Sequence, residues 1–278
     1  MMNLLQPIEE ALHYTFIQRA LIAGCFIALG CSFLGPFLVL RRLSLIGDGL
    51  AHVSFATVAI ALLLHAQPML ISIPLVGFAA VLILKLNTHA QIYGDAAIGL
   101  ISAFAVALGV IITSTAGGFN VDLFSYLFGS ILAISYFEVW MSIAIAALII
   151  VVVTFFYHDL FVTTFDEEYA QVLGISVQSI NHILVVLTAL LVVAGVQIVG
   201  TLLISSLIIL PAISALQIAR SFRVTLALAS VFAMASVIIG LFVSYYLNYP
   251  SGATIVMVNF IFFGSTFYLN KRNSILSR

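Results

Sequence analysis

Long apolar runs constrain this chain more than any other feature. Candidate membrane-spanning stretches fall near 16–40, 43–64, 69–86, 92–116, 136–157, 181–199, 201–219, 224–247 and 252–270. Most approach or exceed the ~20 residues an α-helix needs to cross ~30 Å of hydrocarbon. Of the 278 residues, 64% are hydrophobic and 7% charged, too apolar a balance for a soluble domain of this size. The least apolar internal stretch, roughly 158–181, leaves no room for a soluble catalytic domain. The expected fold is all-α: a polytopic transmembrane helical bundle of eight or nine spans, occupying 1–278 as one domain. Only helices and closed barrels satisfy every backbone polar group in lipid.

The sixth and seventh runs are the ambiguous pair. Gly195 and Gly200 precede Thr201, Ser205 and Ser206, and Pro211 then interrupts the apolar run. That pattern suits a broken or re-entrant segment near 195–219, as found beside transport pathways. Arg41, Arg42, Lys85, Arg220, Arg223, Lys271, Arg272 and Arg278 fall in alternate joins or the carboxyl tail, with Arg19 off the pattern. By the positive-inside rule the N-terminus is outside and the C-terminus cytoplasmic, and the segment 158–180 is then cytoplasmic too. Trp140, Tyr245, Tyr246 and Tyr249 would sit at the outer interface as amphipathic anchors. Met1 to Thr15 lacks Lys and Arg, and the run after it is long enough to span, so no cleavable signal is expected. With a net charge of -1 and no basic run, nucleic acid is not an expected partner; membrane lipid is.

Asp48 and His52 stand out within the second run. Four-residue spacing puts both side chains on one helix face. At ~1.5 Å of rise per residue, His52 is expected about 15 Å beyond Arg42, near mid-bilayer, with Asp48 one turn shallower. A carboxylate and an imidazole at that depth are costly unless a cation, a proton or a fixed partner uses them. The bland alternative pairs Asp48 with Arg41 or Arg42, or with a buried backbone group, and makes His52 a hydrogen-bonded core residue. Gly47 and Gly49 would let a neighbouring backbone approach, as at a dimer seam.

Some chemistries are excluded. A P-loop needs Gly before its Lys, but Lys85 and Lys271 follow Leu84 and Asn270. His-Glu-x-x-His, paired-Cys and Gly-x-Ser-x-Gly motifs do not occur, so an enzyme reading has no nucleophile, base and oxyanion set. Energy for active transport must come from a second protein or an ion gradient.

Residues 40–61, LRRLSLIGDGLAHVSFATVAIA, closely resemble the second span of the zinc and manganese permeases of ATP-binding-cassette importers, with their Gly-Asp-x-x-x-His segment after a basic pair. GDAAIG (94–99) resembles that family's start of the fourth span, and DEEYAQVLGI (166–175) its cytoplasmic coupling loop. GTLLISSLIILPA (200–212) resembles its later Gly-to-Pro span and PSGATIVM (250–257) the start of its last span. NVDLFSYLFGSIL (120–132) is most similar to zinc permeases of Gram-positive bacteria. The likeness runs from about 16 to 270. It implies a permease domain in the bacterial plasma membrane, a homodimer, two cytoplasmic ATP-binding-cassette ATPase subunits and an extracytoplasmic metal-binding lipoprotein. It implies no resident cofactor; the metal is cargo, with zinc expected first and manganese or iron(II) second.

On this reading Asp48 supplies charge and His52 a nitrogen ligand to a passing dication. Two copies meeting along this span would offer two carboxylates and two imidazoles, a set that suits tetrahedral zinc. Asp166, Glu167, Glu168, Leu173 and Gly174 are expected to couple the spans to the ATPase, with Tyr169, Val172, Leu173 and Ile175 lining a short helix. Acidic residues at a helix start also complement its dipole without any partner. His65, Asp122 and Glu138 on the outer side, with Gln67, are candidates for receiving metal, and His89 and His158 for releasing it, although solvated loops and helix ends explain them as well. Asp95 is expected to favour the N-terminal end of the fourth span. Competing readings are a secondary transporter using Asp48 and His52 without an ATPase, and a cassette permease for a metal chelate.

Overall fold

The computed structural model describes residues 13–89, 93–115 and 134–276. Those residues form eleven helices and no strand: α1 Thr15–Leu40, α2 Ile46–Leu63, α3 Pro68–His89, α4 Gly94–Thr115, α5 Tyr136–Phe155, α6 Tyr157–Phe165, α7 Glu167–Val172, α8 Val177–Val199, α9 Thr201–Ile218, α10 Phe222–Leu247 and α11 Ser251–Leu276. Nine are long and apolar enough to cross a bilayer; the short α6 and α7 are not among them.

Gly200 decides the ambiguous region. It joins α8 to α9 in a single residue at φ 85 and ψ 165, a backbone conformation essentially reserved for glycine. Pro211 lies inside α9 without ending it. With 18 residues, α9 is about 27 Å long, so 195–219 is a break between two spanning helices rather than a re-entrant half-helix.

The bundle is organised around α1 and α8, the most buried helices. α1 packs against α5, α8, α9 and α10, while α2 lies among α3, α4, α8 and α9. α11 covers α9 and α10, and α4 is the most exposed of the spans. Small residues set the closest crossings. A Cβ on Gly35 of α1 would lie 2.3 Å from the Ile208 carbonyl oxygen of α9, a backbone group that cannot rotate away. Buried or half-buried hydroxyls join helices in pairs: Ser32 and Ser230 (α1 and α10) at 2.8 Å, Thr57 and Ser72 (α2 and α3) at 2.7 Å, and Ser236 donating to Asn259 (α10 and α11) at 2.8 Å. In lipid such bonds average ~0.6 kcal/mol and do more for register than for stability.

The charged ends separate. Arg41, Lys85 and Glu167 gather at one end of the bundle, where Arg223 lies over the Tyr157 ring at 5.5 Å. Arg19, off the charge pattern, is at the opposite end. Its guanidinium donates to the Ile134 carbonyl and sits 3.8 Å from the Tyr136 ring centre. Exposed Trp140 and the Tyr14, Tyr245 and Tyr246 cluster share that end, as an interfacial aromatic belt would.

Candidate functional site

α2 begins at Ile46, after the turn in which Arg42 takes a left-handed φ of 59. This turn corrects the expected depth. The chain between Arg41 and Leu45 does not climb as helix, so His52 is about 9 Å from the start of an element about 27 Å long, and Asp48 is in its first turn. A carboxylate there complements the positive end of the helix dipole, a contribution of ~0.3–1 kcal/mol.

The arrangement of the rest of α2 goes beyond that structural role. From Ile46 to Ala59 every residue is buried except Asp48, His52, Phe55 and Val58. Their spacings of four, three and three trace one stripe along a helix. The stripe therefore begins with an acid and an imidazole and continues as apolar surface. The side chains of Asp48 and His52 are 45% and 39% exposed. Arg41 does not neutralise Asp48, since its guanidinium bonds Thr164 and Asn181 instead. The Arg41 form of the bland alternative is therefore not made here.

His52 Nε2 and Asp48 Oδ2 are 3.6 Å apart, too far for a hydrogen bond. Two ligands on one tetrahedral ion with bonds of about 2.0–2.2 Å stand about 3.4 Å apart, so a small side-chain rotation would let both bind one cation. Among the described residues no group of three or more His, Cys, Asp or Glu converges. Within the described residues this face thus carries two potential donor groups, both partly exposed.

Gly47 and Gly49 require a second correction. Both are buried inside their own chain: a Cβ on Gly47 would lie 2.8 Å from Ile208 Cδ1 of α9, and one on Gly49 2.4 Å from Ile98 Cγ2 of α4. They press α2 onto its own bundle rather than onto a dimer seam. Because they lie off the stripe, they turn Asp48 and His52 outward.

Glu138 has a structural role of its own. Ser135 and Glu138 form a capping box at the start of α5, with Glu138 Oε2 accepting from Ser135 N at 2.7 Å and from its hydroxyl at 2.9 Å. That carboxylate serves the helix end, a local role that accounts for it without a metal. Ser-x-x-Glu spacing before an apolar run was the available signal. His65 follows α2 in a left-handed conformation (φ 52), and it and Gln67 are exposed. Asp122 lies outside the described residues, and so does the side chain of His89, the last residue of α3. His158 is exposed on α6, and Asp95 occupies the first turn of α4.

At the basic end, Asp166 caps α7 by accepting from Tyr169 N at 2.9 Å. Gly174 closes it at φ 78. Glu167 and Glu168 occupy the first turn of α7, while Tyr169, Val172 and Leu173 are exposed and Ala170 is buried. Ile175 packs partly against the core, so it does not join the exposed apolar face. Sequence reasoning also missed Arg41. Burial pulls its guanidinium below the ordinary arginine range, and the Glu167 carboxylate opposes that fall.

The nine long apolar helices among the described residues make this a multi-pass membrane protein of the permease class. Its relatives agree. A family model described as the ABC 3 transport family matches residues 13–269. The manganese transport system membrane protein MntC of Halalkalibacterium halodurans is 32% identical over 278 residues, covering 100% of this chain and 95% of that protein. The high-affinity zinc uptake system membrane protein ZnuB of Haemophilus influenzae is 32% identical over 260 residues, covering 93% and 99%. The solved structure of PsaBC from Streptococcus pneumoniae in complex with Fab superposes with a TM-score of 0.87 at 31% identity, covering 99% of this chain and 100% of that one. The chain belongs to the ABC 3 transport family. It is the bacterial membrane-spanning permease of a metal importer, and ATP hydrolysis belongs to a separate subunit.

Proposed function

We propose that two copies of this chain carry a divalent first-row transition metal inward between their α2 helices, by alternating access driven by two ATPase subunits. The observation that carries this reading is the stripe of Asp48, His52, Phe55 and Val58, the only residues between Ile46 and Ala59 of α2 that are not buried. A bare dication in hydrocarbon needs opposing charge and replacement ligands for water. A second copy brings the ligand set to two carboxylates and two imidazoles, and covers the apolar continuation through Phe55 and Val58.

Zinc and manganese both fit that donor set: four such ligands suit tetrahedral zinc, and added water oxygens suit manganese. The MntC and ZnuB relatives described above are each 32% identical to this chain, and other relatives named for manganese reach 34%. The sequence reading put zinc first; the relatives named for manganese raise manganese to at least equal standing. The N-terminus is outside and the basic end cytoplasmic. A metal-binding lipoprotein delivers the ion at the outer end, and the exposed Tyr169 and Val172 of α7, with Leu173 just after it, dock on the ATPase.

Uptake of radiolabelled manganese and zinc by a strain expressing Asp48→Asn or His52→Ala tests the site. Loss of uptake with normal expression and assembly is expected, and near-normal uptake in both would retire the proposal. Charged replacements of Leu173 and Gly174 test the docking face by co-purification with the ATPase. Vanadate-insensitive uptake by the chain alone would favour the secondary-transporter reading, and competition by free metal ions against chelate separates ion from chelate cargo.

A further inference from the structure

The α6–α7 segment is fastened to the end of α1 on two sides. On one side, buried Phe37 of α1 meets Phe222 edge-on at 4.9 Å, and Phe222 also contacts Tyr157, Phe161 and Phe165 of α6. On the other side is Arg41, the residue that ends α1. Its Nε donates to the Thr164 hydroxyl of α6 at 3.1 Å, and its Nη1 donates to the Asn181 side-chain oxygen of α8. One planar guanidinium thus holds α1, α6 and α8 together.

Two details show an unused capacity. Arg41 Nη2 is buried without a hydrogen-bond partner. A cavity of about 160 Å³ is lined by Arg41 together with Asn87, Thr88, Asn181 and Glu167, the first residue of α7. An unpaired donor and a carboxylate of opposite charge therefore border one void. Beyond Arg41 the chain turns directly into α2, with Asp48 in the first turn.

We infer that Arg41 is a positioning residue that transmits movement of α6–α7 into the α1–α2 turn, and so to Asp48 and His52, its free Nη2 taking the Glu167 carboxylate as the cavity closes. This rests on the reading that α7 docks on the ATPase. A guanidinium is required because it presents several donors in a fixed fork, whereas an ammonium is a single point charge. A role confined to membrane orientation would need only the charge, which lysine retains.

The decisive variant is therefore Arg41→Lys, reconstituted with the ATPase subunits in proteoliposomes and assayed for manganese or zinc moved per ATP hydrolysed. The expected result is a fall of about fivefold or more in that ratio, with co-purification unchanged. Glu167→Gln should lower the ratio, and the double variant should be no worse than Arg41→Lys alone. A wild-type ratio in Arg41→Lys overturns the inference, as do fully additive losses in the double variant. If Arg41→Lys fails to assemble, Thr164→Val combined with Asn181→Leu keeps the arginine and removes its partners; the same fall supports the inference and an unchanged ratio overturns it. Val172→Asp and Leu173→Asp distinguish the two levels: unchanged co-purification defeats the docking reading, whereas lost co-purification beside a wild-type ratio in Arg41→Lys defeats only the role of Arg41.

Discussion

Replacing Gly49 by alanine drives a methyl group into Ile98. The added Cβ would stand 2.4 Å from Ile98 Cγ2, whereas carbon atoms pack best about 3.5–4.0 Å apart, so α2 and α4 must separate or Ile98 must move by more than about 1 Å. Ile98 is only 4% exposed, and its branched Cβ leaves few helical rotamers. Overpacking of this kind costs about 1–3 kcal/mol. Relief of the glycine penalty within a helix returns about 1 kcal/mol, for a net destabilisation of about 0–2 kcal/mol. Ile98→Ala alone opens a cavity and costs about 2–5 kcal/mol. It also removes the clashing methyl, so the double variant should be about 1–2 kcal/mol more stable than the sum of the singles. Thermal unfolding of the purified protein in detergent measures all three. Metal uptake is the second readout: Gly49 adjoins Asp48, so Gly49→Ala should impair transport and Gly49→Ala/Ile98→Ala should recover part of it. Strict additivity in stability, with wild-type uptake in Gly49→Ala, would refute the assignment of Gly49 to the α2–α4 contact.

The other expectations are more local. Thr57→Val removes the hydroxyl contact to Ser72 and should cost about 0.6 kcal/mol, with Ser72→Ala non-additive in a thermal double-variant cycle. Ser135→Ala should loosen the first turn of α5 by about 0.5–2 kcal/mol, seen as faster amide exchange there, while metal uptake stays unchanged because Glu138 serves the cap. Gly174→Ala has open space for its Cβ but a φ of 78, so about 1 kcal/mol of backbone strain should show as weaker protection of α7 and less ATPase recovered with the permease. Asp48→Asn and His52→Ala should each remove uptake without shifting thermal stability by more than about 1 kcal/mol, since both side chains are partly exposed and bury no core.

Segments whose character is local were readable in advance. Apolar length is a property of consecutive residues, so the spanning helices follow the hydropathy runs closely: α9 runs Thr201–Ile218 and α10 Phe222–Leu247 against expected 201–219 and 224–247. Helix ends were less legible, because a helix continues through polar residues that hydropathy excludes. α8 starts at Val177, four residues early, carrying Gln178 and Asn181 inside it. The left-handed Arg42 delays α2 instead, which shifted the expected depth of His52. The Ser135 and Glu138 capping box is legible from its Ser-x-x-Glu spacing, since both bonds are made within one helical turn.

The shared face of Asp48 and His52 came from the sequence alone, because four-residue spacing on a helix needs no knowledge of neighbours. Whether that face is covered is a property of the other helices. Gly47 and Gly49 bring α2 against Ile208 and Ile98, and the remaining buried residues close every side but the one that carries the acid and the imidazole. Likewise the charge of Arg41 was plain in the chain, but its partners Thr164 and Asn181 lie 123 and 140 residues away. Periodicity and composition report the chemistry each helix carries, whereas the direction a side chain faces, and what it meets there, depends on contacts between segments distant in sequence.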